Sequence, residues 1–431
     1  MKHLLWAPFA CAVVLGANDT ELEQLKQQMM QMQKQMALMQ EKINALESSS
    51  ASNATSNAGP AEESLESLAI NEAKTQQTTL LPDIALIMNG GYASRNVSNE
   101  RYGGYAIPGF IGAGEAELPF NRKDGFNFNY TEVAMSSTIN PYFDGNVIFH
   151  IGGDGEVEIE EAFFTTRSLD YGLKLKAGKF KSAFGRVNEK HHHAWNFEDQ
   201  ELVNNVFFGP DGLGGEGAQL QWVAPTPFYL MAGVELFDGN PEQGFSAKES
   251  ATTGVGYLKS SLGAGDATIL SGLSYAQGKA QVQDLDGAGN PIPYSYSDYG
   301  QTRIFGGDLT VQYPLGAFSS LQWQNEWMQR NRDTASGTDV QAGYYSELLY
   351  KMDENWGAGI RYDDLYKNIA GSPENLNRIS VKLEYTPFEF SRIRLQYNRD
   401  DSKEFDNGRR ALHEVMLNYT FELGAHGAHP F

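Results

Sequence analysis

The chain has 431 residues, of which 41% are hydrophobic and 12% aromatic, with 45 glycines and a formal net charge of -21 at pH 7. So many apolar and aromatic side chains exclude a disordered chain, and the acidic balance argues against nucleic acid as a partner because phosphate binding needs clustered Lys and Arg. Beyond the first twenty residues, no apolar run approaches the roughly 18 residues that a membrane-spanning helix needs, so helical membrane spans are excluded.

The N-terminal stretch MKHLLWAPFACAVVLGA predicts a cleavable export signal over residues 1–17. Lys2 gives it a basic tip, residues 4–15 are mostly apolar, and small residues follow at 16 and 17. The single cysteine, Cys11, lies inside this signal; a lipid-attachment cysteine is the alternative, which the short apolar stretch ahead of it disfavours. Cleavage would leave no cysteine, so we expect a fold that no disulfide stabilises.

Residues 18–47 predict a coiled coil that self-associates in the periplasm. Apolar residues recur there at steps of three and four, which gives a heptad seam of about four repeats, at Leu22, Leu25, Met29, Met32, Met36, Met39, Ile43 and Leu46. The other positions are mainly Gln, Lys and Glu. The alternative is an amphipathic helix lying on the membrane or on the rest of the protein.

Residues 48–81 have the composition of a flexible linker, rich in Ser, Ala, Asn, Glu and Gln. In the rest of the chain, 82–431, the apolar period changes to two, which is typical of half-buried strands. The last strand shows it most clearly, since every second residue from Val415 to Leu423 is apolar and those between are mostly polar. Glu161 falls on the apolar parity set by Val157 and Ile159, which indicates a β-bulge.

About sixteen strands are predicted, starting near residues 84, 126, 142, 155, 171, 216, 227, 253, 266, 300, 316, 339, 354, 376, 388 and 410. Connections after even-numbered strands are tight. Connections after odd-numbered strands are mostly long and polar, at 94–125, 182–215, 239–252, 281–299 and 401–408, and only the tight turn near Asp154 departs from this rule.

Such alternation favours an all-β fold, a transmembrane antiparallel up-and-down β-barrel whose tight turns all lie on one side of the membrane. Its apolar face would contact lipid and its polar face would surround water. A soluble sandwich or propeller is the alternative, but it gives no reason for loop length to depend on strand parity. The last strand must then pair with the first, and the terminal Phe431 is similar to the aromatic signal that outer-membrane proteins present to their assembly machinery.

Two segments carry a family resemblance. GLKLKAGKFKSAFGRVNEK contains Gly178, Lys179, Phe180, Lys181, Ala183, Phe184 and Gly185. These residues resemble a strand-and-turn motif of the phosphate-selective porin O and P superfamily of Gram-negative outer membranes. EYTPFEFSRIRLQYNRD is similar to a paired-strand segment of related porin-like proteins. The resemblance implies a sixteen-stranded trimeric channel, and the Leu22 to Leu46 heptads would be one route to the trimer.

Phosphate selectivity does not follow from this resemblance, because the family's selectivity depends on a dense ladder of lumen arginines and lysines. Glu156, Glu158 and Glu160 are predicted to face inward here together with basic residues, so the lining is mixed. The predicted pore-lining and constriction residues are Lys174, Lys176, Lys179, Lys181, Arg186, Glu189, Lys190, Glu198, Asp199, Lys382 and Arg394. Several lie in the connection 185–217, which is too long for a plain turn and is expected to fold into the lumen.

His191, His192 and His193 follow one another in this connection and are candidate metal ligands, because neutral imidazole binds zinc, copper and nickel. A polar loop without metal is the alternative, since consecutive residues seldom point at one ion. No nucleophile motif accompanies the histidines, so we expect no enzyme and no cofactor.

The sequence therefore predicts an outer-membrane channel of a Gram-negative bacterium for passive diffusion of small hydrophilic solutes or ions. Its expected partners are membrane lipids, two further copies of itself and the assembly machinery. Two alternatives stay open: a barrel that handles zinc or nickel, and a structural protein linking the outer membrane to the periplasm.

Overall fold

The computed structural model describes residues 82–111, 117–238, 245, 252–285, 291–334, 337–366, 376–388, 390–406 and 408–424. The predicted export signal, coiled coil and linker and the terminal Phe431 lie outside these residues, so those expectations stay predictions.

Within the described residues, sixteen strands close into one antiparallel barrel in which each strand pairs with its neighbour in the sequence. This confirms the predicted fold class and strand number. The strands are β1 (Asp83–Arg95), β2 (Gly125–Asn140), β3 (Phe143–Gly152), β4 (Val157–Thr166), β5 (Leu173–Lys181), β6 (Gly214–Val223), β7 (Tyr229–Asp238), β8 (Thr252–Ala264), β9 (Ala267–Leu285), β10 (Pro291–Pro314), β11 (Ser320–Thr334), β12 (Gly337–Lys351), β13 (Trp356–Tyr366), β14 (Leu376–Phe388), β15 (Ser391–Asp400) and β18 (Leu412–Gly424).

Smaller elements lie in the connections. Two-residue strands β16 (Glu404–Phe405) and β17 (Gly408–Arg409) pair with each other as a separate sheet that is not part of the barrel wall. Helix α1 (Asn99–Gly103) follows β1, and helix α2 (Leu202–Phe208) lies between β5 and β6.

The barrel closes where β18 pairs with β1. Their register runs without a break from Ala85 opposite Gly424 to Arg95 opposite Glu414. At the far end of this seam, Arg95 Nε lies 2.6 Å from Glu414 Oε1. Closure pairs the backbone groups of both outer strands, which removes the open edge that a bilayer does not tolerate.

The two faces of the sheet differ in the way a membrane barrel requires. On β18, every second side chain from Val415 to Leu423 is apolar and 40–56% exposed on the outer surface, whereas Glu414, Met416, Asn418 and Thr420 on the opposite parity are at most 4% exposed. The same arrangement recurs on β13 and β14, where outward Ile360 and Val381 are exposed. An apolar exterior around a polar interior is the reverse of a soluble sheet, so the soluble alternative is wrong. Among the described residues, no helix is long and apolar enough to span a bilayer.

The bulge predicted at Glu161 is present on β4. Ile148 pairs with Glu161 and Phe149 pairs with Ile159, so the register shifts and Glu160 is the extra residue. Ile159 stays on the outer surface at 46% exposure, while Glu161 is 7% exposed inside. The bulge therefore lets one strand direct two consecutive glutamates inward.

The predicted pattern of connections needs two corrections. The segment 281–299, predicted as a long loop, is mostly strand, because β9 extends to Leu285 and β10 begins at Pro291. β9 and β10 have 19 and 24 residues, far more than the roughly 10 residues that cross a bilayer. The polar ends of this hairpin therefore need not lie in the bilayer, so they need no apolar face. Likewise, only residues 335 and 336 separate β11 from β12, so a second odd-numbered strand has a tight connection.

Candidate functional site

The connection between β5 and β6, residues 182–213, folds into the barrel interior, and we call it the lumen loop. Its first residues are bonded to one side of the wall. Ala183 donates its backbone N–H to Glu235 Oε1 on β7 at 2.9 Å, and Gly185 donates to Ser274 Oγ on β9 at 2.9 Å. Further along, Arg186 Nη2 lies 2.9 Å from Asp308 Oδ1 on β10.

The middle of the lumen loop is fastened to the opposite wall by a buried charge network. Asp199 lies 2.9 Å from Arg361 Nη2 on β13 and 2.6 Å from Arg378 Nη1 on β14. It also accepts hydrogen bonds from Gln396 at 2.5 Å and Asn398 at 3.1 Å, both on β15. Burial favours the neutral acid, but the two guanidinium groups outweigh it and lower the pKa of Asp199 to about 2.

Glu198, next to Asp199 in the lumen loop, also forms an ion pair with the barrel wall. Its Oε1 lies 3.2 Å from Arg394 Nη1 on β15, and Arg394 Nη2 lies 2.7 Å from Glu384 Oε2 on β14. Lys382 Nζ is 3.1 Å from the same Glu384 oxygen. Lys382 and Arg394 thus lie on the inner side of β14 and β15, and both are engaged in ion pairs with acidic residues.

An apolar core lies inside the lumen, where the sequence analysis expected only polar residues. Val203 and Phe207 on α2 are fully buried and belong to one hydrophobic cluster with the inward-facing Met328, Tyr345 and Leu365 of β11, β12 and β13. The Phe207 ring also lies 4.7 Å from the Arg330 guanidinium carbon. Packing of this kind gives the loop one defined position. The sequence does carry a signal for this core, because each of these strands has an apolar residue at one of the alternate positions that face inward.

The three consecutive histidines separate into two groups. His191 Nε2 lies 2.9 Å from Glu161 Oε2, and His191 Nδ1 lies 3.2 Å from Glu160 Oε2. His193 Nδ1 lies 3.3 Å from Glu132 Oε2 on β2. Burial alone would lower the pKa of His191, but the surrounding carboxylates outweigh it and raise the pKa to about 10.

His192 points elsewhere, so the three histidines do not converge as a set. Its Nδ1 is 3.0 Å from the Tyr130 hydroxyl, and its Nε2 is 3.1 Å from the Glu198 carbonyl oxygen. Its ring stacks on Phe120 with centroids 3.8 Å apart. Burial lowers the pKa of His192 to about 4, so this imidazole is neutral and serves to hold the loop in place.

The lumen loop leaves a chamber of about 660 Å³ against β2 to β6, which we call the acidic chamber. Eight carboxylate residues line it: Glu117, Glu132, Asp154, Glu156, Glu158, Glu160, Asp211 and Glu216. Three cationic residues line it as well: Arg122, Lys179 and Lys181. The excess of carboxylates gives the chamber a negative potential that attracts cations.

The remaining predicted basic residues lie on β5 or on the loop. On β5, Lys174 pairs with Gln221 of β6, and Lys176 pairs with Gln219. Gln219 is buried and donates a hydrogen bond to Glu235. Lys179 donates to the Ile159 carbonyl oxygen at 2.7 Å, and Lys181 Nζ lies 2.8 Å from Glu160 Oε1. On the loop, Glu189 Oε1 is 3.4 Å from Lys259 Nζ, while burial lowers the pKa of Lys190.

Sequence reasoning missed the wall residues that meet the loop. Glu132, Arg361, Asp363 and Arg378 are 4% exposed or less and all contact the lumen loop. Their inward parity could have been read from the alternation of β2, β13 and β14. Their partners in the lumen loop could not be predicted, because no local sequence pattern relates these wall residues to the loop.

Comparison with known proteins agrees with this architecture. No known protein-family profile matches the chain. Among solved structures it is similar to OprB of Pseudomonas putida, with a TM-score of 0.54 at 12% identity over 82% of this chain and 97% of that one. It is also similar to a loop-deletion mutant of OmpT, an outer membrane protein of Vibrio cholerae, with a TM-score of 0.51 at 12% identity over 79% and 99%. The outer membrane channel DcaP of Acinetobacter baumannii gives 0.50 at 12% identity over 79% and 97%.

These identities are low, so the likeness concerns the fold. A relative in sequence is a protein of Aquifex aeolicus (strain VF5) described as "Uncharacterized protein", 35% identical over 387 residues that cover 82% of this chain and 81% of that protein. Identity at this level over four fifths of both proteins shows common descent, and the chain belongs to the same family as this A. aeolicus protein.

Proposed function

We propose that the protein is an outer-membrane channel for passive diffusion of small hydrophilic solutes, with a preference for cations. The observation that carries this proposal is the acidic chamber, a polar space inside a barrel whose exterior is apolar. An apolar exterior suits lipid, and a charged interior is of use only where water and solutes enter. Similarity to the folds of channel-forming outer-membrane proteins supports the same function.

The cation preference rests on how the lumen charges are paired. Four basic residues of β13 to β15 are paired with carboxylates of the lumen loop or the wall: Arg361 and Arg378 with Asp199, and Lys382 and Arg394 with Glu384. Glu156 and Glu158, by contrast, are exposed toward the acidic chamber. Charges that stay solvated at a constriction decide which ions enter, so the chamber should favour cations.

The assembly and location follow the same proposal. The protein would lie in the outer membrane as a homotrimer, held in part by the heptads between Leu22 and Leu46 in the periplasm. It would be inserted by the outer-membrane assembly machinery and act without a cofactor or catalytic step. The charged lumen residues predicted from the sequence would set its conductance.

Planar bilayer recordings test the proposal. Reversal potentials under a KCl gradient should show that cations pass more readily than anions. Replacing Glu156→Gln together with Glu158→Gln should reduce this preference, because both carboxylates line the chamber. Glu354→Gln is the control, since Glu354 is exposed in the tight turn between β12 and β13. Bilayers that stay closed at every voltage would refute the channel, and an anion preference of the unmodified protein would refute the selectivity.

A further inference from the structure

We infer that the wall of the acidic chamber holds a binding site for a divalent transition-metal ion of the Zn²⁺ class, formed by Glu132, Glu160 and His191 with His193 beside them. Each of the first three residues offers one ligand atom, and these atoms all lie within 4.8 Å of one another. The inference requires that the chain fold as a barrel, but it does not require that the barrel conduct ions.

The spacing of the donor atoms matches a tetrahedral ion. With zinc-to-ligand bonds of about 2.0–2.1 Å, two ligands of a tetrahedron are about 3.4 Å apart. His191 Nδ1 lies 3.2 Å from Glu160 Oε2 and 3.6 Å from Glu132 Oε2. His193 Nδ1 lies 3.3 Å from the same Glu132 oxygen. These spacings fit two pairs of ligands around one ion, His191 with Glu160 and His191 with Glu132, and the two carboxylate oxygens lie within 4.8 Å of each other.

Glu161 orients the central imidazole. Its Oε2 lies 2.9 Å from His191 Nε2, so the Nε2 proton is donated to Glu161, and once a metal ion displaces the Nδ1 proton, the Nδ1 lone pair faces Glu160 and Glu132. Glu161 is itself held, because its Oε1 accepts the backbone N–H of Lys181 at 2.7 Å. A carboxylate behind a ligating histidine is the usual second layer of a zinc site. The bulge on β4 makes this possible, since it directs both Glu160 and Glu161 inward.

Burial and charge also favour a cation at this place. His191 is 5% exposed, and its Nδ1 forms no hydrogen bond of acceptable geometry although two carboxylates lie close by. Glu132, Glu160 and Glu161 bring three negative charges, and Lys181, 2.8 Å from Glu160, offsets one of them. A divalent ion that replaces the Nδ1 proton of His191 would offset the other two. Buried charges are stable only when they are compensated in this way.

The site is accessible and its donors select the class of ion. The Glu160 side chain is 22% exposed, and both Glu132 and Glu160 line the acidic chamber, through which an ion can reach them. Imidazole nitrogen with carboxylate oxygen suits Zn²⁺, Ni²⁺ and Cu²⁺, whereas Mg²⁺ and Ca²⁺ prefer oxygen ligands alone.

Calorimetric titration of the untagged, refolded full chain with ZnCl₂ in detergent tests the inference. Every protein should carry H426Q and H429Q, because these tail histidines could bind metal independently. We expect one zinc ion per chain. Binding should be lost in His191→Gln and in Glu132→Gln, and weakened about 10–100-fold in Glu161→Gln, whose role is positioning. His413→Gln is the control, because His413 is exposed on β18 and contacts Tyr397.

Two outcomes would overturn the site: no zinc binding by the parent chain at millimolar zinc, or equal binding by the parent and the His191→Gln chain. Heat-modifiable migration on gels shows whether each variant is folded. If the ligand variants do not fold, Co²⁺ absorption of the parent decides, since an intense tetrahedral band supports the site and a weak octahedral spectrum rejects it. A barrel that binds zinc but conducts no ions would refute the proposed channel and leave the metal site intact. A barrel that conducts ions but binds no zinc would refute the metal site and leave the proposed channel intact.

Discussion

Replacing Asp199→Asn should release the lumen loop from the wall. The asparagine keeps the shape of the side chain but removes the charge that lies 2.9 Å from Arg361 Nη2 and 2.6 Å from Arg378 Nη1. Its amide NH₂ would also face one of these guanidinium groups, because both carboxylate oxygens accept hydrogen bonds in the native loop. The two arginines would be left buried with an incomplete set of partners.

The size of the effect follows from the pKa of Asp199. Arg378 and Arg361 overcome the effect of burial and lower this pKa to about 2 from an ordinary 3.8. A lowering of this size is equivalent to roughly 2 kcal/mol, a change on the order of tens-fold in an equilibrium. The fraction of chains with a released loop should rise by about this factor at pH 7.

Limited trypsin digestion of the folded barrel measures the released fraction, because Arg186 and Lys190 are cleavage sites within the loop. When the loop opens and closes faster than it is cut, the cleavage rate follows the open population, so the variant should be cleaved faster by a factor on the order of tens. Asp170→Asn is the control, since Asp170 is exposed in the connection between β4 and β5. Its cleavage rate should equal that of the unmodified protein.

The pH dependence has a defined sign. Because the pKa of Asp199 is lowered on folding, its contribution is complete above about pH 4 and declines as the pH falls toward 2. Current fluctuations of the unmodified channel should therefore increase between pH 4 and pH 2, and those of Asp199→Asn should increase less over the same range. Equal cleavage rates of the variant and the unmodified protein at pH 7 would refute the fastening role of this residue.

Two further predictions concern other parts of the chain. Phe207→Ala should lower the stability of the barrel by about 3–5 kcal/mol, because it removes a fully buried ring from the lumen core, and the temperature of the heat-modifiable gel shift should fall. Phe318→Ala, at a 60% exposed position, should leave this temperature unchanged. Equal temperatures for the two variants would contradict the packing of Phe207. Deleting residues 18–47 should reduce the oligomer mass on native gels while the barrel stays folded. Deleting residues 50–58 in the linker should leave the oligomer mass unchanged. An unchanged mass after the first deletion would show that the coiled coil does not hold the oligomer.

The barrel itself could be predicted from the sequence because its signal is local. A period of two, repeated along most strands from β1 to β18, gives the strand number and tells which side chains contact lipid, and the parity break at Glu161 marks the bulge on β4. Where the period fails, the prediction fails as well. The segment 281–299, where β9 and β10 meet, has little apolar alternation, and it is predicted to be a loop although most of it is strand.

Only the tertiary structure decided what the lumen loop contacts. Asp199 meets Arg378 and His191 meets Glu132 across long sequence separations, and no local pattern relates these residues. The separation of His192 from its two neighbours likewise depends on the position of Tyr130 on β2. Alternation along a strand fixes whether a side chain points into the lumen, but closure of the barrel determines which side chains then face one another across it.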